Sequence, residues 1–158
     1  MNSDVTLPLP AKINPGWRIG IVHSLYHDDL VSLLVEGARS TLLKAGIPKG
    51  NVTLHPAAGA FEIPLIGLNA AESGQVDALI GLGLIVEGET EHARLLATET
   101  ARGIMDVQLR KKMPFAFEVL YVHSLDQTKT RCRIDGGKGG EAAVAVLHSL
   151  AELDRLHS

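Results

Sequence analysis

The chain has 158 residues, 46 % of them hydrophobic, and a formal net charge of -3, which suits one domain with a buried core and excludes a general nucleic-acid binder. Its one cysteine, Cys132, excludes an intrachain disulfide and fits a reducing compartment. No apolar run reaches the ~20 residues of a membrane span, and residues 1–10 lack the basic segment and apolar core of a signal peptide, so the expectation is a soluble cytoplasmic protein that binds neither nucleic acid nor membrane.

Residues 1–15 carry Pro8, Pro10 and Pro15 without a clear period and read as an extended N-terminal arm. Trp17-Arg18-Ile19-Gly20-Ile21-Val22-His23 reads as a first core strand. Asp28 is the expected N-cap of a helix in which Leu30, Val31, Leu34, Val35, Ala38 and Leu42 recur at helical spacing. Gly46 and Pro48 end it. A shorter strand covers 52–55. A helix over 61–71 carries Pro64 in its first turn, where a missing N–H costs little. A third strand covers 76–86 and a long helix 90–112, whose basic end, Arg110-Lys111-Lys112, suits the helix dipole. A fourth strand covers 115–122. After a polar, basic segment over 124–140, a helix over 141–156 closes the chain, with Ala143, Val146, Leu147 and Leu150 on one face. Strand followed by helix, four times, predicts an α/β fold: a three-layer α/β/α sandwich, its four-stranded parallel sheet covered by helices on both faces, as a single domain over 1–158. Aromatic residues are only 4 %, so the core is built from aliphatic side chains, as a sheet buried on both faces requires.

Ligands of such sheets bind beyond the carboxyl ends of the strands. Four segments reach that edge: 23–27, 57–62, 87–92 and the region after Val122. In Gly83-Leu84-Ile85-Val86-Glu87-Gly88-Glu89-Thr90-Glu91-His92 a buried strand ends, a glycine turn reverses the chain, and a helix begins with a histidine in its first turn. Free N–H groups there can take an anion. The dipole disfavours a cation at that position, which suits His92 to proton transfer. The plainer alternatives are a surface histidine after a turn and an ordinary cap by Thr90. Glu87, Glu89 and Glu91 repel a phosphate unless they point to solvent or a cation such as Arg131 or Arg133 offsets them. Glu62 could accept from ligand hydroxyls or merely favour a helix dipole. Tyr26 could stack on a planar ring or sit at a rim. Gly136-Gly137-Lys138-Gly139-Gly140 departs from the phosphate-loop pattern, because Gly139 follows the lysine. It reads as a flexible lead-in to the last helix, with Lys138 available to a ligand. His23 and His27 lie on a strand and turn without further donors at ligand spacing, so no metal site is expected.

Ile19-Gly20-Ile21-Val22 with Tyr26, the motif Gly59-Ala60-Phe61-Glu62-Ile63-Pro64, the run from Gly83 to His92, and Gln127 to Arg131 followed by Gly137-Lys138-Gly139 carry a resemblance. In order and spacing, from Arg18 to Leu153, they resemble the 6,7-dimethyl-8-ribityllumazine synthases, the penultimate enzymes of riboflavin synthesis; the 59–64 motif is the most specific match. The resemblance implies a flavodoxin-like sheet and a transferase. Its reaction condenses 5-amino-6-(D-ribitylamino)uracil with 3,4-dihydroxy-2-butanone 4-phosphate to 6,7-dimethyl-8-ribityllumazine, releasing phosphate, with no metal or organic cofactor. It implies that His92 is the catalytic proton shuttle and that Tyr26 stacks on the pyrimidine. Ala60, Phe61 and Glu62 would hold the ribityl chain, and Ile85 and Val86 would meet the pyrimidine through their backbone. Glu89, Thr90 and Arg131 would bind phosphate, and Phe117 and Lys138 would complete the pocket. It also implies a homo-oligomer built from pentamers, whether a homopentamer, a decamer or a larger icosahedral shell. Active sites would lie between subunits, so that Phe117, Arg131 and Lys138 act on a neighbour's substrate.

The chain departs from the family's pattern at His27 (usually Asn), Glu87 (often Arg), Glu89 (often small) and Arg94 (commonly an acid), and it is one residue shorter between Arg131 and Lys138. These changes make the turn after the third strand more acidic. Arg94 compensates if its side chain reaches back toward the helix start. A second reading is a flavin- or lumazine-binding paralogue with weak or no catalysis. A third, an unrelated flavodoxin-like signalling domain, is discounted: a receiver needs acids after the first strand and an Asp after the third, where His23-Ser24 and Leu84-Ile85-Val86 stand.

Overall fold

In a computed structural model, which describes residues 7–158, the chain alternates strands and helices. They are β1 (Ile19–Ser24), α1 (Asp28–Lys44), β2 (Val52–Ala57), α2 (Ile63–Glu72), β3 (Ala78–Val86), α3 (His92–Lys111), β4 (Phe115–Val122), a single turn α4 (Lys129–Cys132) and α5 (Lys138–His157). The strands form one parallel sheet in the order β2-β1-β3-β4. The order places β1 and β3 at the centre, where a strand needs apolar side chains on both faces. In β3 every residue but Val86 is buried.

Alternation along the strands builds two cores. Ile19, Ile21, Ala78, Ile80, Leu82 and Leu84 pack with α1 and α5 through Leu34, Leu42, Val146 and Leu147. Val22, Leu79, Ile85, Phe115 and Val119 pack with α2 and α3 through Ile63, Ala70, Ile104 and Val107. The helices thus form the outer two of three layers. Ile19, Ile21, Leu79 and Ile80 are fully buried, and each such side chain contributes ~1.5–3 kcal/mol. The starts of β1 and β3 are tied together. The Arg18 N–H donates to Asp77 Oδ2 at 2.8 Å, and its guanidinium donates to both carboxylate oxygens at 3.1 and 3.2 Å. The two edge strands differ. β2 is largely exposed and carries Pro56, which has no N–H to offer a further strand. β4 places Phe117 and Glu118 on opposite faces of the sheet.

Several boundaries differ from the sequence reading. His27, not Asp28, occupies the cap position of α1, in the left-handed conformation; Asp28 and Asp29 serve instead as first-turn acids. α3 begins at His92 rather than residue 90. The segment 124–140 contains α4, and α5 begins at Lys138 rather than at 141. The glycines there are close-approach positions, not a flexible lead-in. A Cβ on Gly139 would lie 2.1 Å from the Leu34 carbonyl oxygen of α1, and one on Gly137 would lie 2.0 Å from that of Arg133.

The predicted arm is described only from residue 7; its residues 1–6 lie outside the described part. Residues 7–15 form no strand or helix. The Pro8 carbonyl lies 2.6 Å from His148 Nε2, and Pro10 to Asn14 run beside Trp17 and the end of α5. Among the described residues no helix is long and apolar enough to cross a membrane.

Candidate active site

Each predicted segment is shaped by local backbone demands. Ser24 ends β1 fully buried, and its hydroxyl accepts the Tyr26 N–H at 3.1 Å. The Leu25 N–H donates to the Ala57 carbonyl at 2.9 Å, closing the β1 end against β2. His27 then takes φ 57° and ψ 42°, a region in which Asn, Asp and His are enriched among non-glycine residues. Histidine therefore meets the conformational demand of this turn. The turn throws Tyr26 outward, 68 % exposed.

After β2, Gly59 is extended and a single 3-10 turn, Ala60–Glu62, leads into α2. The Glu62 N–H donates to the Gly59 carbonyl at 3.2 Å. A Cβ on Gly59 would lie 3.5 Å from the Tyr26 ring and 3.4 Å from Glu62 Oε2, so the phenol and the carboxylate flank this glycine closely. Phe61 projects outward, 61 % exposed. β3 delivers Ile85 and Val86, the exposed turn 87–91 follows, and His92 opens α3 with its N–H donating to Thr90 Oγ1 at 3.3 Å. Glu91, not Thr90, occupies the cap position of α3, and no side chain caps the helix from there.

A cleft of about 710 Å³ lies among these pieces, within the size range of small-molecule sites. Tyr26, Ala60, Phe61, Glu62, Ile85, Val86 and His92 all line it. His27, Gly59, Leu84, Ala93, Leu95, Leu96 and Glu99 line it as well. Sequence reasoning stopped at His92 and missed the α3 wall. Its signal is the spacing of His92, Leu95, Leu96 and Glu99, which share one helix face.

The remaining predicted residues stand apart. Glu89 and Thr90 sit in the exposed turn beside His92, outside the cleft lining. Phe117, Arg131 and Lys138 do not line the cleft either. Lys138 Nζ donates to Glu141 Oε2 at 2.9 Å. Lys138, Glu141 and Arg131 all act on half-buried Glu118 of edge strand β4. Burial pushes its carboxyl up to about 7, against the pull of Lys138 and Arg131. One chain therefore presents two groups of predicted site residues, one in the cleft and one around β4.

The acidic turn is also resolved differently from the sequence expectation. Neither Arg131 nor Arg133 engages Glu87; its carboxylate accepts from the Tyr121 hydroxyl at 3.3 Å and from His123 Nδ1. Arg94 pairs with Glu91 at 3.6 Å. Among the described residues no three His, Cys, Asp or Glu side chains converge to hold a metal ion.

A parallel sheet of this order defines an α/β protein of the flavodoxin-like class, with a ligand-sized cleft beyond the carboxyl ends of its central strands. A de novo designed Rossmann fold protein is similar at a TM-score of 0.37 and 18 % identity, over 71 % of this chain and 90 % of that one. Residues 16–154 match the family model of 6,7-dimethyl-8-ribityllumazine synthase. Two proteins bearing that name are similar throughout: one from Thermococcus gammatolerans, 38 % identical over 90 % of this chain and 91 % of its own, and one from Methylobacillus flagellatus, 35 % identical over 86 % and 91 %. The chain belongs to the 6,7-dimethyl-8-ribityllumazine synthase family.

Proposed function

We propose that this protein is a cytoplasmic lumazine synthase of riboflavin biosynthesis, condensing 5-amino-6-(D-ribitylamino)uracil with 3,4-dihydroxy-2-butanone 4-phosphate and releasing phosphate. The observation that carries the reading is the convergence of Tyr26, Ala60, Phe61, Glu62, Ile85, Val86 and His92 on one cleft in a chain of this family. Tyr26 stacks on the pyrimidine, and the backbone of Ile85 and Val86 meets its edge. The 60–62 turn holds the ribityl chain, with Glu62 accepting from its hydroxyls.

The ring amine attacks the ketone carbon and water leaves, giving an imine. Phosphate is then eliminated, and ring closure with loss of a second water completes the lumazine. Each step moves a proton, and His92 at the start of α3 is the group placed to carry it. Holding two substrates in one cleft supplies much of the remaining rate.

Phosphate is received by the backbone N–H groups of Glu89 and Thr90 and by Arg131. Arg131, Phe117 and Lys138 act from a neighbouring subunit, in a homo-oligomer built from pentamers. Their separation from the cleft of their own chain supports this arrangement.

The test is to mix the purified protein with both substrates and follow lumazine fluorescence. Formation faster than the uncatalysed condensation is expected. No acceleration, with riboflavin still bound, favours the binding paralogue instead. Sedimentation as pentamers or multiples of them is expected, and a monomer refutes the shared site.

A further inference from the structure

The turn between β3 and α3 is assigned to a phosphate, yet it opens with Glu87. The geometry of that glutamate answers the conflict. The Glu87 N–H donates to the Val122 carbonyl at 2.8 Å, and its carboxylate takes hydrogen bonds from the Tyr121 hydroxyl and from His123 Nδ1. Ile85 and Val86 pair with Tyr121 and Val122 in the sheet, so these contacts carry the β3–β4 register one residue beyond the ladder. β4 lies on the far side of β3 from β1. The cleft is built on the β1 side, from Tyr26, the turn before α2 and the start of α3, and Glu87 does not line it.

We propose that Tyr121 and His123 are positioning residues: they hold the Glu87 carboxylate on β4, so that its charge does not oppose an anion received by the 88–90 turn. The identity of that anion as the phosphate of the butanone substrate rests on the lumazine synthase reading. The backbone bond from Glu87 to Val122 keeps the chain path whether or not the side chain is held. What the two side chains add is direction. Released, the carboxylate is free to swing over the exposed turn. The other charges close by do not remove that repulsion, because Arg94 is engaged by Glu91 and Glu89 adds a further negative charge. Repulsion between partly screened charges weakens anion binding about 5-fold.

The experiment compares three proteins: wild type, Tyr121→Phe with His123→Ala, and that pair combined with Glu87→Gln. In steady-state turnover the double variant is expected to raise KM for the butanone phosphate about 5-fold. Its kcat and its KM for the pyrimidine should move less than about 2-fold. Adding Glu87→Gln should bring KM back, because the amide carries no charge to misplace. A purely structural role for the pair would not be repaired by removing that charge. Tyr121→Phe alone, gentler on the fold, should give an intermediate rise.

Binding of inorganic phosphate, read by calorimetry on the same proteins, tests the site apart from turnover. If wild type makes no lumazine but phosphate affinity falls and recovers in this pattern, the enzymatic reading fails and the inference stands. A double variant with unchanged phosphate affinity and KM, a triple variant that stays weak, or a wild type that binds no phosphate overturns it.

Discussion

Replacing Glu118 by glutamine should stabilise the protein, increasingly so as pH rises above about 4.5. Glu118 is half-buried, and burial is the leading cause that raises its carboxyl from an ordinary 4.5 to about 7. Glu141 adds to that rise, while Lys138 and Arg131 oppose it without cancelling it. Each tenfold change in proton affinity is worth ~1.4 kcal/mol, so the displacement corresponds to a ceiling of ~3 kcal/mol. Partial exposure lowers the realised effect to ~1–2 kcal/mol. The sign follows from linkage. Below about 4.5 the carboxyl is neutral in both folded and unfolded chains and carries no penalty; the penalty grows as pH rises and is complete above about 7. Glu118→Gln, neutral throughout and nearly the same shape, escapes it. Urea unfolding at matched protein concentration should therefore show similar midpoints at pH 4.5 and a higher midpoint for the variant at pH 8. A gap of the same size at both pH values, or a variant weaker at pH 8, would refute the assignment of the raised carboxyl to burial beside β4.

Other consequences are open to direct measurement. His92→Ala should slow turnover ~100-fold or more while pyrimidine affinity, measured separately, changes little; an unchanged rate removes the histidine from the chemistry. Gly139→Ala should cost ~1–3 kcal/mol in denaturant unfolding, because the added methyl meets the Leu34 carbonyl at 2.1 Å; a loss below ~0.5 kcal/mol would mean that α1 and α5 separate freely. Asp77→Asn should weaken the fold by ~1 kcal/mol or less at pH 7, given the exposure of the pair. Burial opposes ionisation of Asp77, but its hydrogen bonds from Arg18 outweigh this and hold its carboxyl below the usual 3.8. The stability from this pair is present above that value and is lost as pH falls below it, so the difference from Asn should shrink steadily as pH drops below 3.8; a gap that does not shrink contradicts the ion-pair account.

The helical period placed the buried faces of α1 and α5 correctly, since Leu34, Leu42, Val146 and Leu147 are among the most deeply buried side chains. Such faces depend on local spacing, which a sequence displays. The cleft was legible where a tight turn demands particular residues, as at Gly59, Glu62 and the run into His92. What escaped notice depends on how distant pieces meet. Tyr121 and His123 look like ordinary strand-end residues until the β3–β4 register sets them beside Glu87. Gly139 looks like slack until a second helix backbone arrives against it. The helix boundary at residue 138 was misjudged for the same reason: glycines lower helix propensity, but tertiary packing against α1 overrides it.

The two margins of the sheet restrict how copies of the protein can join. An unprotected parallel edge offers a row of N–H and C=O groups on which another strand can build. Here Pro56 interrupts that row on β2, and Glu118, half-buried with its carboxyl raised to about 7, sits within β4. Each device discourages a neighbour from extending the sheet through backbone pairing, the route by which exposed strands seed aggregates. A strand laid along the β2 margin would find its ladder broken at Pro56, so the four-stranded width of the sheet is guarded by the composition of its own edge.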